Sequence, residues 1–138
     1  MFKNFFPNKI LSISNKFISI LLIVMLFIML TGLVYALFIS PPDYIQGDSV
    51  RIMYVHVPSS FISLGCFALL GLASIFNLIF NARFLFLITK SLAPIGLVFT
   101  IISIVTGSMW GKPTWGVWWA WDARLTSMLI LCFFYIAY

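Results

Sequence analysis

Three stretches of this chain are long and apolar enough to cross a bilayer, a fourth begins before the sequence ends, and this pattern leaves little choice of fold. A spanning helix needs about 20 apolar residues, because each adds about 1.5 Å against a hydrocarbon core about 30 Å thick. Residues 17–39 supply 23 positions without a charge, and Pro41-Pro42 then stops the helix. Residues 61–80 form a second run, ended by the Asn81-Ala82-Arg83 turn. Residues 91–109 form a third, with Pro94 in what reads as a first helical turn. A fourth starts near Leu125 and is still apolar at Tyr138. Composition excludes a water-soluble domain: 63% of residues are hydrophobic and 8% charged, against a usual charged share of about 25%. The expected fold class is all-α, a multi-pass transmembrane helical bundle of three full spans and the start of a fourth.

The first run resembles a secretion signal in following Lys3, Lys9 and Lys16, but it is longer than a typical signal core. Val34-Tyr35-Ala36-Leu37-Phe38 also offers no small-residue cleavage pattern, so the run reads as a retained span. Orientation follows from the basic residues. The amino-terminal tail, residues 1–16, holds Lys3, Lys9 and Lys16, and the turn between spans two and three holds Arg83 and Lys90. The opposite side holds Arg51, Lys112 and Arg124 with all three acids, Asp43, Asp48 and Asp122. The positive-inside bias therefore makes the tail cytoplasmic and places loops 40–60 and 110–124 on the external face. Spans are expected at about 17–39, 61–80, 91–109 and 125–138. The last supplies 14 residues, about 21 Å of helix, too short for the hydrocarbon core. The expectation is that the sequence is the front part of a longer protein.

All five tryptophans of the chain fall within residues 110–124, as Trp110, Trp115, Trp118, Trp119 and Trp121. An interfacial aromatic belt explains one or two such residues at a span end. It explains five in one loop poorly, since the other span ends carry none. If the segment after Pro113 is a short helix, Trp115, Trp118, Trp119 and Asp122 share one face. That face would be an aromatic plate with a carboxylate at its edge, suited to a large flat ligand such as a porphyrin and, less well, a quinone.

The other external loop holds the one histidine, in Arg51-Ile52-Met53-Tyr54-Val55-His56-Val57-Pro58. A lone loop histidine is more often a bystander than a ligand. His56, however, shares the membrane face of the tryptophans, and neutral imidazole is a common axial ligand of haem iron. Arg51 and Arg124 on that face can pair with carboxylates such as haem propionates. Anchoring at the membrane edge is their equally weighted alternative.

Other chemistry is excluded in turn. The basic residues are too few and scattered for a phosphate-tracking patch, so nucleic acid is not a partner. Cys66 and Cys132 lie in apolar runs, without a CxxC or CxxCH pattern. No paired carboxylates, Ser-His-Asp set, HExxH or phosphate-binding glycine loop is present, and no charge lies inside a span to relay ions. Gly107 and Gly111 match the GxxxG packing pattern, weakly, at a span end.

Trp115-Gly116-Val117-Trp118-Trp119-Ala120-Trp121-Asp122, followed by Ala123-Arg124-Leu125-Thr126-Ser127, resembles the tryptophan-rich "WWD" signature of haem-handling membrane proteins. The Arg51–Pro58 segment resembles the first external histidine segment of one branch, the haem exporter protein C (CcmC) family of cytochrome c maturation. The resemblance covers essentially the whole chain. It implies six spans, with the WWD loop between spans three and four on the periplasmic side of the bacterial inner membrane. Haem b, bound as cargo, would sit on that loop between two external histidines. The partners implied are the CcmA/CcmB ABC transporter, CcmD and the haem chaperone CcmE, and the role is transport and delivery rather than enzymatic. By position, His56 would be an axial ligand, and Trp115, Trp118, Trp119, Trp121 and Asp122 the haem and chaperone platform. Spans five and six and the second histidine of that pattern are not in this sequence. The alternatives are the front part of a CcmF- or CcsA-type haem lyase, which shares the WWD loop, and a structural or quinone-binding membrane subunit.

Overall fold

In hydrocarbon only the chain itself can satisfy backbone N–H and C=O groups, so each apolar run has to be a helix. The computed structural model describes residues 8–81 and 83–138, in two compact units, Met1–Ser40 and Pro41–Tyr138. In the first unit, helix α1 (Asn8–Val34) passes into a π-helical turn, Tyr35–Ile39. The Ser40 N–H closes that turn by donating to the Tyr35 carbonyl at 2.8 Å. Pro41 and Pro42 have no N–H to continue it. The expected tail is thus helical from Asn8 onward, while residues 1–7 lie outside the described residues. Phe17, Ile23, Phe27 and Phe38 all stay exposed, as a helix apolar on every side does when lipid is its solvent. Its one threonine is satisfied locally, Thr31 Oγ1 donating to the Phe27 carbonyl at 2.7 Å.

The second unit contains α2 (Val50–Phe80), α3 (Arg83–Trp115) and α4 (Ala123–Ala137). Both long helices overrun the apolar runs read from the sequence. α2 starts at Val50 rather than near Phe61, so His56 lies in a helix and not in a loop. Pro58 sits inside that helix, and hydroxyls of the next two residues turn back onto the same stretch of backbone. Ser59 Oγ donates to the Val55 carbonyl at 2.7 Å and Ser60 Oγ to the His56 carbonyl at 2.9 Å, so each hydroxyl is satisfied within its own helix. Asn81, left-handed at φ 48°, caps α2 by donating its N–H to the Asn77 carbonyl at 2.8 Å. Three helices, within Lys16–Ile39, Val50–Phe80 and Phe84–Trp115, are long and apolar enough to span a bilayer, and α4 is shorter. The protein is a multi-pass helical membrane protein.

What holds α2 to α3 is a seam of small and hydroxylated side chains, since lipid tails remove the hydrophobic drive for helices to associate. Ser63, Thr100 and Ser103 are the most completely buried side chains among the described residues, at 0%, 0% and 1% exposure. Thr100 Oγ1 donates to the Gly96 carbonyl at 2.7 Å, so the Ser63 hydroxyl across the seam donates to Thr100. α4 closes this layer with Leu131 and Tyr135, which cluster with Cys66 and Leu70 of α2. The Tyr135 hydroxyl donates to the Ser63 carbonyl at 2.7 Å.

Candidate functional site

The start of α2, the end of α3 and the start of α4 meet at one end of the second unit. They enclose a cavity of about 470 Å³ there, within the range of small-molecule sites. Its walls are mostly apolar, with Met53, Leu64 and Met128 among them, and its polar groups are few: His56, Ser60, Ser103, Arg124 and Ser127. Trp110 and Trp115 complete the rim.

His56 is fixed by α3. Its Nδ1 lies 3.0 Å from the Ser103 carbonyl and 3.1 Å from Thr106 Oγ1. A carbonyl only accepts, so Nδ1 carries the proton. Thr106 already donates its own hydroxyl proton to the Ile102 carbonyl at 2.7 Å, which leaves its oxygen as a second acceptor. The neutral ring then holds its lone pair on Nε2. Room for the ring comes from Gly107, where a Cβ would lie 2.9 Å from His56 Cε1.

The aromatic plate expected on one helical face does not form. α3 continues through Pro113 to Trp115 and stops at Gly116, whose left-handed φ of 79° only glycine adopts freely. The Gly116 N–H donates to the Lys112 carbonyl at 3.0 Å, and Lys112 Nζ donates to the Gly116 carbonyl at 2.9 Å. Residues 116–122 are therefore non-helical, and the tryptophans fall into two edge-to-face pairs instead. Trp110 meets Trp115 with ring centroids 5.2 Å apart, and Trp119 meets Trp121 at 5.5 Å. Trp118 and Trp121 are exposed. The Trp119 indole N–H is buried without a hydrogen-bond partner among the described residues. Of the expected platform, only Trp115 lines the cavity, where it is joined by Trp110. Trp110 Nε1 donates to Gln46 Oε1 at 2.9 Å, tying loop 41–49 to the same rim. That loop is folded on Asp43, which accepts the N–H groups of Ile45 and Gln46. Those bonds, Gln46 first, hold the Asp43 carboxyl below the usual carboxylate range.

The charged residues separate. Arg51 pairs with Asp48 at 3.3 Å and is not on the cavity wall. Arg124 is on it, stacked over the Trp115 ring at 4.9 Å. Its Nε and Nη2 both donate to Asp122 Oδ2, at 3.0 and 2.8 Å. Asp122 itself is the N-cap of α4, accepting the Leu125 N–H on Oδ1 at 2.9 Å. Its place in the sequence motif thus has a local structural cause.

The Leu125 N–H, and after it the Arg124 guanidinium, hold the Asp122 carboxyl below the usual range. A carboxyl lowered on folding contributes fully above its unfolded value of about 4, and that contribution is lost as pH falls through the lower folded value. The opening free energy of the Leu125 amide, read by hydrogen exchange, is therefore expected to be flat above about pH 5 and to drop below about pH 4. Asp122→Asn, which still caps but does not titrate, is expected to flatten that profile.

Sequence reasoning missed Ser103, Thr106 and Gly107 as supports of His56. A signal was present: Gly96, Thr100, Ser103 and Gly107 recur at helical spacing and mark the face of α3 that another helix can approach closely.

The whole chain, residues 1–138, matches the family model described as Heme exporter protein C. It is 43% identical to the Heme exporter protein C of Escherichia coli (strain K12) over 130 residues, 94% of this chain and 53% of that protein. It is 48% identical over 105 residues to the protein of that name from Haemophilus influenzae, covering 76% of this chain and 43% of the relative. With the Rhodobacter capsulatus relative it shares 38% identity over 132 residues, 96% of this chain and 54% of that one. The chain spans about half the length of the curated relatives it matches. It belongs to the heme exporter protein C family.

Proposed function

We propose that the chain forms one side of a haem-holding site at the external face of the bacterial inner membrane, and that it presents haem there for delivery to the chaperone CcmE. The observation that carries this reading is a histidine held through Nδ1 by a backbone carbonyl inside an apolar, tryptophan-rimmed cavity. That hydrogen bond is the common support of metal-ligating imidazole, because it leaves Nε2 free and raises its basicity. Haem is the cargo, bound as haem b. His56 supplies one axial ligand, Trp110 and Trp115 face the macrocycle, and Arg124 takes a propionate by exchanging its partner Asp122. His56 is the only histidine of the sequence, so a second imidazole ligand comes from outside these 138 residues. The exposed rings of Trp118 and Trp121, with Trp119 and Asp122 behind them, form the surface offered to the chaperone. CcmA, CcmB and CcmD are the partners in export, the amino-terminal side is cytoplasmic, and the role is transport rather than catalysis.

The test is a haem titration of the purified membrane protein, followed by its Soret band. His56→Ala is expected to lose the band and to regain it when free imidazole is supplied as a replacement ligand. Trp118→Ala is expected to keep the band while lowering holo-cytochrome c in cells. An unchanged Soret band in His56→Ala would sink the proposal.

A further inference from the structure

The same site contains a device that no resemblance assigned. α3 presents to the His56 ring two acceptors and no donor: the Ser103 carbonyl at 3.0 Å and Thr106 Oγ1 at 3.1 Å. The threonine oxygen can only accept there because its proton is committed to the Ile102 carbonyl at 2.7 Å. A hydroxyl chain fixes the other side of the residue. Ser60 Oγ donates to the His56 carbonyl at 2.9 Å, so its contact of 2.6 Å with Ser103 Oγ is a bond it accepts. Ser103, 1% exposed, thus grips His56 twice, through its carbonyl on the ring and through Ser60 on the backbone.

We propose that Thr106 is a positioning residue for His56: its hydroxyl and the Ser103 carbonyl hold the ring as the Nδ1–H tautomer, leaving Nε2 as the nitrogen offered to iron. The inference rests on the haem reading above for its purpose, but the tautomer itself is a property of the haem-free protein. A neutral histidine in water favours the other tautomer, with the proton on Nε2, so the expected state is diagnostic. An unsupported ring would spend part of its time with the coordinating nitrogen blocked by a proton, and outer partners of this kind typically tune metal affinity by about 10- to 100-fold.

Because the chain has a single histidine, ¹⁵N-histidine labelling of the full chain in detergent gives one imidazole and needs no assignment. The spectrum is recorded without haem at about pH 8, above the usual histidine range near 6.5. The wild type is expected to show a protonated Nδ1 and a bare Nε2. Thr106→Val, which keeps the shape and removes one of the two acceptors while leaving the Ser103 carbonyl, is expected to shift part of the population toward Nε2–H and to weaken haem binding by up to about tenfold. Thr106→Ser is expected to restore both. An Nε2–H signal in the wild type, or a Thr106→Val spectrum identical to it, overturns the inference and leaves a His56-dependent Soret band standing. A Soret band that ignores His56 overturns the haem reading instead, whichever tautomer the ring adopts.

Discussion

Gly96→Ala is expected to destabilise the second unit by about 3 kcal/mol, the largest effect of an alanine at any glycine of this chain, because its Cβ meets the closest contacts. A Cβ at Gly96 would lie 2.2 Å from both Cζ and Oη of Tyr135 and 2.4 Å from Cε1. A phenol ring cannot flex out of such a contact as the tip of a long side chain can. Tyr135 is 4% exposed, its hydroxyl bonds the Ser63 carbonyl at 2.7 Å, and its ring meets Phe67 edge-on at 5.6 Å. Moving the ring forfeits the hydrogen bond, worth about 1 kcal/mol net, the aromatic pair, worth about another, and much of its burial. The check is a denaturation curve in detergent, with Gly71→Ala as control. Nothing lies within 4 Å of the Cβ position of Gly71, so alanine there is expected to be neutral or to stabilise by about 0.5 kcal/mol through helix propensity. In the Tyr135→Ala background the Gly96→Ala cost is expected to shrink sharply, because the ring that the new methyl would strike is gone.

Gly96 also shows what the sequence made legible and what it did not. The spans were readable because crossing hydrocarbon is a one-dimensional constraint: run length and absence of charge suffice, and α1 with its π-helical turn, α2 and α3 contain the runs so read. Helix ends were less readable. The start of α2 was expected at Phe61, where the second apolar run begins. The true start at Val50 takes His56 and Pro58 into the helix, where the His56 ring bonds to α3. The tryptophan face failed for a local reason that the sequence did carry: one glycine at position 116, turned left-handed, breaks the helical phase between Trp115 and Trp118. Composition and motif singled out His56, Trp115 and Arg124, and the structure brings these three to one cavity. The groups that orient His56 stood 47 and 50 residues away, in a span whose small residues read only as packing.

Those supports make Gly107 the position where a minimal change is expected to cost the most function while leaving the fold intact. Its Cβ would approach His56 Cε1 to 2.9 Å and Nδ1 to 3.4 Å, with Leu125 Cδ2 at 3.5 Å. In Gly107→Ala the imidazole has to retreat, and it cannot do so while keeping both acceptors on α3. Haem affinity, titrated through the Soret band, is expected to fall by about 10- to 100-fold, and Gly107→Val is expected to abolish the band. Melting of the bundle should change little, since alanine improves helix propensity by about 1 kcal/mol against a similar cost of moving a half-buried ring. Gly111→Ala supplies the contrast. A Cβ there meets Trp115 and the Val117 carbonyl, each at 3.3 Å, and its three nearest atoms belong to those two residues rather than to His56. The two glycines of the apparent packing motif therefore serve different parts of one site, the first the iron-facing histidine and the second the tryptophan rim. A Gly107→Ala protein that takes up haem with wild-type affinity would place the ligand away from His56, whatever else its spectrum showed.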